Sequence, residues 1–212
     1  MPIRKFVFLL ACLYSWPCLS QSQPTPWRDS LRTLNSEIAL SPRSTDLRLK
    51  KAAVNIELEQ WEYAAEEYGR VLQLDPKNLA ALYYRAYTYT HMNRPDLAQN
   101  DYETFLTIVP RHFEARLGLA MTKRNLGRQI ETMDELNLLV QQFPDSAMAY
   151  AARANYETEL KQYDAALYDW DEAVRLRPGF ADFIVSKADV LRAMKRDDEA
   201  EALLRQRHTI SR

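Results

Sequence analysis

The side chains best suited to proton transfer or metal ligation near neutral pH are three histidines, His91, His112 and His208. Ligation needs a second histidine or a carboxylate at a spacing that brings both donors together, and none of the three has one. They read as solvated or capping residues. Nucleophilic, metalloprotease or nucleotide chemistry would require a G-x-S-x-G elbow, an H-E-x-x-H pair or a glycine-rich phosphate loop, and the chain contains none of these. The acidic groupings, Asp169 with Asp171 and Glu172, and residues 197–199, read as helix-surface carboxylates or helix-start residues that favour the dipole. This pattern implies a non-catalytic protein with no metal and no cofactor.

The elements that carry these residues are helical. The chain has 212 residues, 47% hydrophobic, with only four glycines against twelve tyrosines, which argues for helices joined by tight turns rather than a hairpin-rich fold. A formal net charge of −1 gives no electrostatic drive toward nucleic-acid phosphates. Residues 1–20 have the parts of a secretory signal: a basic start at Arg4 and Lys5, an apolar core from Phe6 to Leu13, and small residues before a cut ahead of Gln21. That core is too short to span a membrane. The expected location is therefore exported, periplasmic or secreted if bacterial. Both cysteines, Cys12 and Cys18, leave with the signal, so no disulfide framework is expected. A second reading takes Leu9-Leu10-Ala11-Cys12 as a lipoprotein box with Cys12 lipidated and retained, although its apolar stretch is short for one.

Residues 21–25 read as a polar tether. Thr25-Pro26 then starts a helix, with a hydroxyl cap and proline at the first helical position; Trp27, Leu31, Leu34 and Ile38 share one face of it. Beyond this point Pro42, Pro76, Pro110, Pro144 and Pro178 recur every 34 residues, and Ala52, Ala86, Ala120, Ala154 and Ala188 recur in the same register. Ser44, Asn78 and Asp145 or Ser146 stand where helix N-caps belong. The pairs Ala64 and Tyr68, Ala98 and Tyr102, Ala166 and Trp170, and Ala200 and Leu204 add a small residue followed one turn later by a large one. The small residues let two helices approach closely, and the large ones fill the gap toward the next unit.

This constellation resembles the tetratricopeptide repeat, whose 34-residue unit is a pair of antiparallel helices. The resemblance covers residues 26–212: a capping half-repeat at 26–44 and repeats at 45–78, 79–112, 113–146, 147–180 and 181–212. It implies an all-α, right-handed superhelical solenoid. The family's early tryptophan and leucine are replaced in several units by Arg48, Lys51, Arg85, Arg116, Arg153 and Lys187, expected to lay their stems on apolar surface and keep the charge in water. Unit 113–146 departs furthest, with Thr132, Leu136 and Gln142 at three of its pattern positions.

The resemblance also implies a concave groove lined by the first helix of each unit. Carried onto this chain, its inward positions are Leu49, Ala53 and Ile56; Tyr83, Tyr87 and Thr90; Glu114, Leu117, Met121 and Arg124; Ala151, Asn155 and Thr158; and Val185, Asp189 and Arg192. The groove is expected to be apolar and aromatic toward its N-terminal half and polar toward its C-terminal half. Tyr83 and Tyr87, four residues apart, fall on one helix face, either as groove residues or as packing between helices; Tyr89 takes the buried aromatic position. The lysine and asparagine positions of the carboxylate-clamp relatives hold Leu49, Ala53 and Tyr84, so that clamp is absent. The function implied is a scaffold or adaptor that binds a protein or peptide, with no nucleic-acid partner and membrane association only through lipidation or a partner. The alternative is a structural subunit of an outer-membrane or envelope assembly, anchored at Cys12.

Overall fold

A computed structural model describes residues 26–210, with side chains from 27 to 205; the signal, the tether and Cys12 lie outside the described residues. Helices are the only regular elements among the described residues, and no strand occurs among them. Helix α1 (Pro26–Leu40) is followed by five antiparallel pairs: α2 (Thr45–Glu57) with α3 (Trp61–Leu74), α4 (Leu79–His91) with α5 (Pro95–Ile108), α6 (Phe113–Asn125) with α7 (Gln129–Gln142), α8 (Ala147–Glu159) with α9 (Tyr163–Leu176), and α10 (Ala181–Ala193) with α11 (Asp197–Ile210). Each helix packs on the next, and α2 also touches α4 as α4 touches α6. The first helices therefore crowd along one side of the stack, which bends it into a solenoid with those helices inside.

Small residues set the close approach within every pair. Ala52 and Ala64, Ala86 and Ala98, Ala120 and Thr132, Ala154 and Ala166, and Ala188 and Ala200 are all fully buried. Thr132 fits an alanine position because its hydroxyl donates to the Arg128 carbonyl (2.8 Å), so no polar group is left unpaired. The large residues that follow, Tyr68, Tyr102, Leu136 and Trp170, are buried between units.

Turns and caps repeat as well. Between the two helices of each pair a residue adopts the left-handed conformation: Glu59, Asn93, Gly127, Lys161 and Lys195. In the first turn the Glu59 N–H bonds the Ile56 carbonyl and the Gln60 N–H bonds the Asn55 carbonyl (2.9 and 2.8 Å), the paired bonds of a Schellman ending. Equivalent bonds close the other four turns. At the starts of the first helices, Ser44 accepts from Leu47 N–H, Asn78 from Ala81 N–H and His112 Nδ1 from Ala115 N–H. Ser146 holds the cap position of α8 but makes no side-chain capping bond.

The basic side chains at the pattern positions are not simply surface stems. A carboxylate stands opposite them on the second helix at 34-residue intervals: Glu67, Asp101, Glu135 and Asp169. Arg48 and Lys51 meet Glu67 (2.8 and 2.9 Å), and Arg85 grips Asp101 through two bonds of 2.7 Å. Arg116 and Lys123 share Glu135 (2.7 and 3.0 Å), and Arg153 holds Asp169 (2.6 and 2.8 Å). Asp169 is 1% exposed, so it is a core ion-pair residue and not the helix-surface carboxylate expected from its acidic neighbours. Burial works against the Glu67 charge, but hydrogen bonds from Lys51 and Arg48 hold its carboxyl below the usual range. Gln142 also gains a role, since it accepts from Arg116 Nε (3.1 Å). In the last pair Leu203 occupies the carboxylate position, and Lys187 turns instead to Asp171.

Two glycines test this packing in opposite directions. A Cβ on Gly118 of α6 would lie 2.5 Å from Tyr102 Cζ, whereas one on Gly69 of α3 would meet only Arg85 Nη1 at 3.7 Å. Gly118→Ala is expected to lower stability by about 1–3 kcal/mol through overpacking against the buried tyrosine. Gly69→Ala is expected to raise it by about 0.5–1 kcal/mol through helix propensity. Thermal melts of the two variants should move in opposite senses; a Gly118→Ala melt equal to the parent would contradict this packing.

Candidate functional site

Three hollows lie along the face lined by the first helices. Leu49, Ala53 and Ile56 of α2 border the first, about 280 Å³, with Tyr68 and Tyr84 closing it. Tyr83 borders the second, about 550 Å³, with Phe105, Val109 and His112, and Glu114 at its edge. Leu117, Met121 and Arg124 of α6 meet Asn155 and Ala151 of α8 in the third, about 550 Å³. Arg124 pairs with Glu159 across its margin (2.7 Å).

The other inward positions behave differently. Tyr87 belongs to a separate aromatic group, in which Trp61 stacks on His91 with ring centres 4.3 Å apart and Tyr87 leans on His91 at 4.5 Å. Thr90 donates its hydroxyl to the Ala86 carbonyl (3.0 Å). Asp189 pairs with Arg192 (3.1 Å), outside the three hollows. Tyr83 and Tyr87 thus sit on one helix but in different surroundings, because Tyr83 also packs against the buried cluster around Tyr102 and Phe105. Tyr89 is only half-buried, with the Arg85 guanidinium 5.7 Å from its ring centre.

The C-terminal half of the groove is less polar than its first-helix positions suggest. Trp170 of α9, Phe180 of the following turn and Phe183 of α10 complete the third hollow. Phe183 lies 4.6 Å from Phe180 and 5.8 Å from Trp170, centre to centre. Ala151 and Ala152 of α8 line the same hollow, and Trp170 and Phe183 form its floor while remaining buried. Trp170 Nε1 has no hydrogen-bond partner. The spacing of Phe180 and Phe183, three apart across a helix start, is the sequence signal for this wall.

Helix α8 also carries a buried acid, Glu157. Glu157 lies 4.0 Å from Arg153, whose two short bonds go to Asp169, and Glu157 Oε2 has no hydrogen-bond partner. Burial, reinforced by the neighbouring Asp169 charge and only partly relieved by Arg153, pushes its carboxyl up to about 7. No group of residues suited to hold a metal ion occurs among the described residues, and no helix among them is long and apolar enough to cross a membrane.

The helix-pair geometry has close counterparts among solved structures. MamA superimposes with a TM-score of 0.68 over 78% of this chain and 91% of its own, at 19% identity. YrrB, described as a TPR protein with an unusual peptide-binding site, does so with a TM-score of 0.64 over 85% of this chain and 93% of its own, at 16% identity. The fold is the tetratricopeptide-repeat solenoid. Among curated proteins, mouse sperm-associated antigen 1 is 35% identical over 86 residues, 41% of this chain. A DnaJ homolog subfamily C member 7 homolog of Dictyostelium discoideum is 24% identical over 190 residues, 82% of this chain. The chain spans only 9% and 35% of the lengths of those two relatives. No family model matches the chain.

Proposed function

We propose that this protein is a non-catalytic scaffold whose concave groove binds a peptide or a helix of another protein. The observation that carries the reading is the row of hollows along the first helices. Each joins apolar or aromatic walls to polar groups at its edge, the composition that protein recognition uses. The likeness to a solved solenoid with a peptide-binding site points the same way. Export completes the proposal and rests on residues 1–20; the mass of the mature chain tests it, a start at Gln21 supporting it and a lipidated Cys12 favouring an anchored assembly subunit.

Ala53 and Asn155 are exposed residues on the borders of the first and third hollows, so tryptophan there fills those two hollows without entering the core. An Ala53→Trp/Asn155→Trp variant is expected to keep its helical circular dichroism and to lose the partners that the parent recovers from an extract of the source cells. Equal recovery by both proteins would place binding elsewhere.

A further inference from the structure

The charges of the inner helices are unequally satisfied. Every lysine and arginine on α2, α4, α6, α8 and α10 is in an ion pair. Those nearest the groove are no exception, since Arg124 is held by Glu159 and Arg192 by Asp189. Arg177, in the turn before α10, lies over the Phe180 ring, 4.7 Å from its centre. The inner carboxylates are not all matched. Glu57 borders the first hollow and Asp182 the third, both exposed and neither with a cation beside it among the described residues. Glu114 borders the second hollow, 3.5 Å from His112 Nδ1. That nitrogen accepts the Ala115 N–H, so it has no proton to offer Glu114.

Each hollow thus combines apolar walls with one carboxylate that lacks a counter-charge. From this we infer that the partner segment is basic and apolar together: lysine or arginine within two residues of a bulky phenylalanine, leucine, methionine or tryptophan. The apolar side chain enters a hollow, and the neighbouring cation meets the carboxylate at its edge. An acidic segment would bring like charge to all three sites, while the arginines that could receive it are already engaged. The inference rests on the groove reading above and specifies the chemistry of its ligand.

The test is selection of a displayed library of random dodecapeptides on the full chain. The selected peptides are then measured on two variants, Glu57→Gln/Glu114→Gln/Asp182→Asn, which keeps shape and removes charge, and Ala53→Trp/Ala80→Trp/Asn155→Trp, which fills all three hollows because the exposed Ala80 borders both the first and the second. Circular dichroism confirms that both remain folded. Peptides pairing lysine or arginine with a bulky apolar neighbour should dominate. They should bind the charge-neutral variant about tenfold more weakly in low salt, with the difference shrinking as salt rises, and should fail on the filled variant. Acidic or uncharged peptides that dominate, and that the filled variant rejects, would overturn the basic-apolar assignment while leaving the groove reading intact. Basic peptides that bind all three proteins equally, or no enrichment over bare support, would overturn both.

Discussion

Asp101→Ala is expected to lower the free energy of unfolding by about 3 kcal/mol, at the lower end of what losing one partner of a buried ion pair costs. Asp101 is 5% exposed and receives both bonds of the Arg85 guanidinium. Removing it leaves the Arg85 guanidinium without the acceptor of both its hydrogen bonds and with the Tyr89 ring 5.7 Å away. Arg85 keeps some access to water, with a side chain 23% exposed, and that access sets the lower end. The penalty belongs to the stranded charge rather than to the pair's net contribution, so Arg85→Leu/Asp101→Leu should regain most of the loss. Urea unfolding of the two single leucine variants and the double variant gives the coupling between the residues. An Asp101→Ala variant within 1 kcal/mol of the parent would mean that the pair is incidental to the repeat.

The same pair shows what could be read without coordinates. Prolines and alanines at a fixed period announce the unit because each acts locally: proline stops one helix, and alanine admits the next. The carboxylates at 67, 101, 135 and 169 keep the same period, yet their meaning depends on a contact between different helices. Sixteen residues separate Arg85 from Asp101, a distance that brings them together only once α4 and α5 lie antiparallel. Asp169 was further disguised by Asp171 and Glu172, which made the run look like a solvated face. The floor of the third hollow was hidden for a similar reason. Counting the inward positions of first helices omits Trp170, which belongs to a second helix and forms the buried floor of the hollow beneath the alanines of α8. At Tyr83 and Tyr87, helical spacing placed both on one face but did not resolve which neighbouring rings each would meet.

Lowering the pH from 8 toward 5 should make this protein more stable, with Glu157 responsible. Its carboxyl titrates at about 7 in the folded chain against an ordinary value of 4.5. Between those values the folded state therefore binds a proton that the unfolded state does not. Stability then falls as pH rises through this window: the cost is absent below about 4.5 and fully present above about 7. A shift of this size corresponds to about 3 kcal/mol at most; relaxation around Arg153 reduces the expected effect to about 2 kcal/mol. The direction follows from competition for one cation. Arg153 commits two short bonds to Asp169, leaving Glu157 at 4.0 Å with an oxygen that has no partner. Glu157→Gln removes the ionisation while preserving shape. It should raise stability at pH 8 by about 2 kcal/mol and leave it nearly unchanged at pH 5. Denaturant melts of both proteins at the two pH values decide the matter: parallel pH dependence in parent and variant would mean that Arg153 neutralises both acids, and that Glu157 carries its charge in the folded chain at neutral pH.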